Sequence, residues 1–292
     1  MPNTRELRRR IKSVKNTAQI TKAMQMVAAT KMRRAQNQAL SGRPYSHTLN
    51  LSLSSLLDRI NLEEHKLLQK NFANKILVIL LSTDKGLAGA LNTNLLRATS
   101  QFINGKPVEF LTVGKKGRSF VARTGKDLGA DFENHELVSS RQSRQIGKAA
   151  IDKFLAEEVG EVYLIYPHFV SALRQEPITI KLLPIDPAHI QELLGNHITK
   201  TEEKESHHDF IFEPGVDELL EFILIHSVET KIYQALLETK ASEHSARMLA
   251  MQNATDNAKD LVEDLNLTYN QTRQDAITGE LLEITSASLA LE

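Results

Sequence analysis

Two long segments, one at each end of the chain, carry a helical pattern of hydrophobic positions. Residues 3–41 contain neither glycine nor proline, and residues 216–292 contain no proline and a single glycine, Gly279. Glycine and proline are the residues that most often interrupt helices, so both segments are predicted to be long continuous helices. At about 1.5 Å per residue, the second would measure roughly 110 Å.

The hydrophobic positions of each segment alternate in steps of three and four residues, which is the period of helices that wind around each other. The first seam contains Leu7, Ile11, Val14, Ala18, Thr21, Gln25, Ala28, Met32 and Ala35. The second is predicted to contain Met251, Ala254, Ala258, Leu261, Leu265, Thr268 and Thr272. The helices are expected to pair antiparallel and to leave a projecting end on the second. Gly42, Arg43 and Pro44 are expected to kink or end the first helix.

The middle of the chain, residues 74–185, alternates hydrophobic runs with amphipathic stretches. Strands are predicted at 76–81, 108–113, 161–166 and 178–185, and helices at 88–102, 115–123 and 143–156. This alternation is typical of an α/β domain in which helices cover a sheet. The predicted fold class is therefore α/β: a long antiparallel coiled coil of the N- and C-terminal helices plus a central Rossmann-like α/β domain.

These patterns divide the chain into four predicted parts. They are an N-terminal helix (1–60), a central α/β domain (70–195), a charged linker (196–211) and a C-terminal helix (212–292).

Charge is distributed unevenly, although 36 Lys and Arg residues balance 36 Asp and Glu residues. The N-terminal segment is basic, and the segment after residue 240 is mainly acidic. A basic segment can bind nucleic acid, or the two ends can attract each other. Residues 1–40 contain no aromatic side chain that could stack on bases, which favours the coiled-coil interpretation.

Several kinds of site are excluded or disfavoured. The lack of cysteine excludes disulfides, a Cys-ligated zinc site and an iron–sulfur cluster. The longest hydrophobic runs fall far short of the ~20 residues that span a bilayer, so no membrane-spanning segment is expected. Residues 82–89 form a glycine-bearing turn between a strand and a helix but match neither nucleotide-binding glycine pattern. We predict no cofactor, no metal site and no catalytic residue.

Four stretches resemble the γ subunit of F-type ATP synthases. Residues 16–36 resemble the N-terminal signature of that family, and residues 240–257 and 269–278 resemble its C-terminal signature. Residues 82–89 resemble its central loop, and the resemblance runs over the whole chain.

The resemblance implies a rotor that is not itself an enzyme. In the family, the paired end helices turn inside a ring of three α and three β subunits, with one copy per complex. The α/β domain lies with the ε subunit and the ring of c subunits. The implied function is to couple ion flow through the membrane sector to ATP synthesis or hydrolysis at the β subunits. No nucleic acid is implied, and the membrane is reached only through the complex. No transit peptide or chloroplast-type cysteine insertion is recognised, so the expected location is the cytoplasmic face of a bacterial inner membrane.

The resemblance also implies particular contact residues. Those expected to contact the α–β ring are Met24, Arg247, Arg273, Gln274 and Thr278, and the apolar end of the last helix adds Ile277, Leu281 and Ile284. Asp84, Lys85 and Gly86 match the loop at the start of the α/β domain. Lys12, Arg33 and Arg34 are candidate steering charges on the basis of their sign alone. Gly279 stands where the family usually has glutamine and should cost about 1 kcal/mol of local helix stability.

Two other classes remain open from the residues themselves. One is a nucleic-acid-binding coiled-coil protein that uses the basic N-terminal arm. The other is a nucleotide-binding α/β enzyme with helical appendages.

Overall fold

The structure, a computed structural model, describes residues 4–57, 65–186 and 215–289. The chain forms two compact units. The paired-helix unit contains Met1–Thr30 and Arg247–Glu292, and the sheet unit contains Lys31–Ala246. The predicted linker, residues 196–211, lies outside the described residues, and the four-part division remains a prediction.

Within those residues, the secondary structure consists of long terminal helices and a mixed α/β region. The helices are α1 (Thr4–Leu57), α2 (Leu91–Phe102), α3 (Lys115–Thr124), α4 (Ser140–Leu155) and α5 (Val216–Leu289). The strands are β1 (Ile76–Leu81), β2 (Val108–Val113), β3 (Asp127–Phe132), β4 (Glu161–Phe169) and β5 (Gln175–Leu183).

The five strands form one sheet in the order β3-β2-β1-β4-β5. The pairs β1–β2, β1–β4 and β2–β3 are parallel, and β5 joins β4 antiparallel. Residue Ile76 at the start of β1 lies opposite Val108 on one side and Glu161 on the other. The predicted α/β class is confirmed, and the structure supplies the strand order.

Helices cover both faces of the sheet. Alternate residues of β1 point to opposite faces, so Leu77, Ile79 and Leu81 enter one core while Val78 and Leu80 enter the other. The first core packs α4 and α5 against the sheet, with partly buried residues of α1. The second core packs α2 and α3, through Leu95 and Val121 among others.

Strand β3 was missed by the sequence patterns. Its residues are mostly exposed, and it lies at the sheet edge, so it carries no hydrophobic run. Main-chain pairing with β2 forms it, and the Thr112 hydroxyl of β2 donates a hydrogen bond to Asp131 Oδ1 (2.7 Å). Because an edge strand has a neighbour on one side only, burial leaves a weak signal in its sequence.

Four predicted boundaries need correction. Strand β4 ends at Phe169 rather than at 166. Helix α2 begins at Leu91 rather than at 88, because Leu87 and Gly89 adopt positive φ angles that end any helical backbone there. Helix α4 begins at Ser140, where the Ser139 side chain accepts a hydrogen bond from the Gln142 amide (3.4 Å). Strand β5 includes Pro177, which an edge strand tolerates because one side of its backbone needs no partner.

The expectation that α1 could end at Pro44 is wrong, because the helix continues to Leu57. Proline removes one helical hydrogen bond, and contacts with α5 on both sides of it hold the helix in place. Gln38 Nε2 donates to the Tyr233 hydroxyl (2.9 Å), and the Tyr45 hydroxyl lies 2.6 Å from His226 Nε2. From the first of these contacts to the second, the residue number rises in α1 and falls in α5, so the two helices are antiparallel within the sheet unit.

In the paired-helix unit, the predicted α1 seam is confirmed. Leu7, Ile11, Thr21 and Ala28 are buried, and the other predicted seam residues of this unit are half-buried. The Thr21 and Thr255 hydroxyls lie 2.7 Å apart and join α1 to α5.

The predicted α5 seam is only half right. Leu261 and Thr268 are exposed, and the neighbouring Val262 and Tyr269 take their places as a buried and a half-buried residue. The observed seam contains Met251, Thr255, Ala258, Val262, Leu265, Tyr269 and Thr272. It keeps the alternating steps of three and four residues. In each heptad, one of the two seam positions lies one residue later than predicted. Leu261 and Val262 are both apolar, so the sequence alone did not show which one faces α1.

Candidate functional site

The exposed end of α5 is the most distinctive surface of the paired-helix unit. From Arg273 to Ser286, no residue of the helix is buried, and Gly279 alone is half-buried. Hydrophobic side chains nevertheless continue along this stretch: Ile277 is 50% exposed, Leu281 58% and Ile284 67%. Exposed apolar side chains grouped in this way mark a surface that another molecule covers.

Polar candidates lie on the same stretch. Arg273 and Gln274 are exposed, and the Thr278 hydroxyl donates a hydrogen bond to the Gln274 carbonyl (2.9 Å). The guanidinium and amide groups at 273 and 274 thus point into solvent at the base of the projecting end. The structure brings together all six of the predicted contact residues between 273 and 284.

Met24 and Arg247 lie further along the same unit, and both are half-buried. Met24 follows Thr21 by one turn of α1, and Arg247 precedes Thr255 by two turns of α5. Both therefore belong to the region of the Thr21–Thr255 contact.

Sequence reasoning missed two exposed hydrophobic residues beside Met24. Ile20 is 60% exposed and Val27 56% exposed. Positions 20, 24 and 27 follow the four-three spacing that places residues on one helix face. Together they form an apolar stripe on α1 outside the seam. The signal in the sequence that could have revealed this stripe was the recurrence of apolar residues at positions outside the predicted seam.

The candidate steering charges are all exposed. Lys12 lies on α1 in the paired-helix unit, and Arg33 and Arg34 lie on α1 in the sheet unit. Arg34 borders a cavity of about 330 Å³ that Lys31, Glu136 and Lys240 also line. Lys31 Nζ lies 2.7 Å from Glu136 Oε1. This hydrogen bond lowers the pKa of the Glu136 carboxyl, against a smaller opposing effect of burial.

The loop after β1 makes an internal contact rather than an open site. Oxygen atoms of the loop accept hydrogen bonds from the first three backbone amides of α3. Asp84 Oδ1 accepts from the Lys115 amide (2.9 Å) and the Thr83 carbonyl accepts from the Lys116 amide (3.0 Å). Ser82 Oγ accepts from the Gly117 amide (2.7 Å). A helix N-terminus of this kind could otherwise hold a phosphate. The approach is so close that a Cβ on Gly114, which has φ +94°, would overlap the Ser82 carbonyl. Lys85 and Gly86 remain exposed at the tip of the loop.

Within residues 4–57, 65–186 and 215–289, no helix is both long enough and apolar enough to cross a membrane.

Comparison with known proteins identifies the family. The ATP synthase family profile matches residues 3–291. The ATP synthase gamma chain of Methylacidiphilum infernorum is 44% identical over 296 residues, which covers all of both chains. The chain belongs to the ATP synthase γ chain family.

Solved structures agree with this family. A chain of the Tetrahymena thermophila mitochondrial ATP synthase central stalk and c-ring is 27% identical, with a TM-score of 0.62 over 80% of this chain and 99% of that one. A chain of the Euglena gracilis mitochondrial ATP synthase is 21% identical, with a TM-score of 0.67 over 99% of this chain and 94% of that one, and it shares the fold.

As a γ chain, the protein is a subunit of the ATP synthase complex and has the central-stalk role of its family. Neither alternative drawn from the residues, a nucleic-acid-binding coiled coil or a nucleotide-binding enzyme, gains support from these relatives.

Proposed function

We propose that this γ chain is a non-catalytic shaft whose rotation couples ion flow through the membrane sector to ATP synthesis or hydrolysis on the β subunits. The observation that carries the proposal is the projecting end of α5, where apolar side chains are exposed from Ile277 to Ile284.

The chemistry of this end suits a turning contact. Apolar contact is non-directional, so an apolar surface can rotate within an apolar sleeve without breaking strong bonds at every step. Ile277, Leu281 and Ile284 supply that surface. Arg273 and Gln274, at its base, can form hydrogen bonds with a ring subunit that break and re-form as the shaft turns.

A second contact zone is proposed around Met24 and Arg247. The apolar stripe of Ile20, Met24 and Val27 can slide against a ring subunit, while the Arg247 guanidinium can attract acidic groups on it. Lys12, Arg33 and Arg34 add positive charge that steers such acidic groups toward the shaft.

The proposed partners are three α and three β subunits around the paired helices, with the ε subunit and the c-ring against the sheet unit. One copy of the chain serves each complex. The proposed location is peripheral, on the cytoplasmic face of a bacterial inner membrane, with the membrane reached through the other subunits.

Reconstitution tests the proposal directly. The α and β subunits are assembled with and without the chain, and native mass spectrometry and ATPase turnover are measured. One copy per complex, and turnover that depends on it, is the expected result. A chain that stays alone while the other subunits work unaided would contradict the proposal.

The Met24 contact gives a sharper prediction. Met24→Lys places a cation in the middle of the apolar stripe, and we expect proton pumping per ATP hydrolysed to fall more than complex assembly does. Met26→Lys is the matched control, because Met26 is 58% exposed and lies on a different side of α1. Equal pumping ratios in both variants would remove Met24 from the coupling contact.

A further inference from the structure

The layer of helices α2 and α3 is strongly segregated in charge. Residues 85–126 contain eight bases and a single acid, Glu109. The bases are Lys85, Arg97, Lys106, Lys115, Lys116, Arg118, Arg123 and Lys126, and all eight are exposed. These eight residues are called the basic layer below.

The one acid does not belong to this surface. Glu109 is buried, and its carboxylate pairs with Lys153 Nζ (2.9 Å) of α4. Helix α4 packs on the opposite face of the sheet from α2 and α3. The exposed surface of the basic layer therefore has only positive side chains of its own.

Arg118 and Lys106 already have partners within the chain. Arg118 Nη1 lies 3.0 Å from Asp131 Oδ2 of the edge strand. Lys106 Nζ lies over the Phe102 ring, 4.2 Å from its centroid. Among the described residues, Arg97 and Arg123 form no ion pair, and Arg123 uses its Nε on the Ser119 carbonyl of its own helix (3.2 Å).

These two arginines border one groove. It runs between α2 and α3 and has a volume of about 670 Å³. Besides Arg97 and Arg123, it is lined by the polar residues Thr93, Ser100, Gln101 and Asn104 and by the apolar residues Leu96 and Phe120. The lining combines two guanidinium groups, hydroxyl and amide side chains and two half-buried apolar side chains, and it contains no carboxylate. Guanidinium groups bind carboxylates through paired hydrogen bonds, and the amides can bind a polypeptide backbone.

We propose that the basic layer is a docking surface for an acidic polypeptide segment, which places its carboxylates on Arg97 and Arg123. Like charges crowded on one surface repel each other and lower the stability of the folded state. In a chain with equal numbers of acids and bases, their segregation here is complementary to an acidic partner.

The surface fits a polypeptide better than a lipid membrane. Membrane-surface elements combine bases with apolar side chains that enter the bilayer. Between residues 85 and 126, Leu87 is the one large hydrophobic side chain that is exposed, and the apolar residues of the groove, Leu96 and Phe120, are half-buried. The docking surface lies in the sheet unit, and the proposed shaft contacts at 24, 247 and 273–284 lie in the other unit.

Fluorescence anisotropy with the full-length chain tests the proposal. The probe is a fluorescein-labelled peptide of alternating glutamate and alanine, and a glutamine–alanine peptide is the neutral control. We expect the acidic peptide alone to bind, more weakly as salt is added. Arg97→Glu/Arg123→Glu should weaken binding at least about tenfold, since each close pair is lost and replaced by repulsion.

The matched control reverses two exposed bases on α4, Arg141→Glu/Lys148→Glu. It changes net charge equally but acts from the opposite face of the sheet, so binding should stay within about twofold because salt screens charges beyond about 10 Å. Circular dichroism checks folding, and Arg97→Gln/Arg123→Gln replaces the reversal if that variant does not fold.

Three results would overturn the proposal: no binding of the acidic peptide, equal weakening by both charge reversals, or binding to phosphatidylserine vesicles without binding to the peptide. ATPase turnover of the α–β complex is measured in parallel. Because the arginines and the shaft contacts belong to different units, normal turnover with lost peptide binding supports the docking surface, whatever the fate of the shaft proposal.

Discussion

At the scale of single residues, the most constrained group is the buried carboxylate of Glu109. It pairs with Lys153 (2.9 Å) and with Lys75 (3.1 Å), which themselves have second partners in Glu158 and Asp127. Burial raises the pKa of the Glu109 carboxyl, but hydrogen bonds and charge from the two lysines outweigh it, and the pKa lies below its ordinary value.

Glu109→Gln should therefore change how stability depends on pH. A carboxyl whose pKa is lowered in the folded state adds stability above its unfolded pKa of about 4.3 and loses it as pH falls further. We expect the variant to lose about 1–2 kcal/mol at neutral pH, because both lysines keep another partner. Thermal unfolding by circular dichroism should show a smaller drop between pH 5 and 3 in the variant. An identical acid response in both proteins would contradict this assignment.

At the scale of elements, periodicity determined what could be predicted. The long helices, the strands at Val108–Val113 and Ile76–Leu81 and the α1 seam follow from repeating hydrophobic positions, which the sequence displays directly. Strand β3 and the phase of the α5 seam could not be predicted in this way. Main-chain pairing forms β3, and the choice between Leu261 and Val262 depends on the facing helix.

The same limit applies to the candidate site. The projecting end of α5 was predicted from helix length alone, and its exposure is confirmed. The hydrogen bond of Asp84 could not be predicted in this way, because its partner is the amide of Lys115, 31 residues away in sequence.

The Thr21–Thr255 contact gives a prediction about the stability of the helix pair. Each hydroxyl also lies near a carbonyl of its own helix, Thr21 Oγ1 at 3.0 Å from Ala18 and Thr255 Oγ1 at 2.7 Å from Met251. Each single substitution to valine should cost about 0.5–1 kcal/mol, and the double variant should recover most of the loss. Unfolding by urea measures all four proteins. Simple additivity of the two losses would show that the hydroxyls do not interact.

Gly279 tests helix propensity at the projecting end. A Cβ at this position meets no atom within 4 Å, so Gly279→Ala adds no clash. We expect local helix stability to rise by about 1 kcal/mol. Hydrogen exchange of the amides around residue 279 should slow about fivefold in the full chain, since 1.4 kcal/mol corresponds to a factor of ten. Ala276→Gly, three residues earlier in the same exposed stretch, should act in the opposite direction.

At the scale of the whole molecule, the buried cores and the exposed apolar end of α5 occupy different parts of the chain. Both sheet cores lie in the sheet unit, and the seam of the paired-helix unit ends near Thr272. Beyond it, the described side chains of α5 contribute little buried area to the fold and present their apolar surface outward.

Truncation after Thr272 should separate the two roles. Since no residue from 273 to 286 is buried, we expect the free energy of unfolding to change by less than about 1 kcal/mol. Binding to the α–β complex, measured by native mass spectrometry against intact chain as competitor, should weaken strongly. A truncated chain that unfolds early would show instead that the projecting end supports the fold.

The loop that closes on α3 has a further consequence. Asp84 acts as an intramolecular ligand, whose tether gives it an effective concentration of roughly millimolar or more at the α3 amides. A free phosphate or nucleotide must compete with that carboxylate and with Ser82 and Thr83 for the same three N–H groups. The Rossmann-like sheet thus retains its fold, while its own chain occupies the N-terminus of α3, where such a fold could otherwise bind an anion.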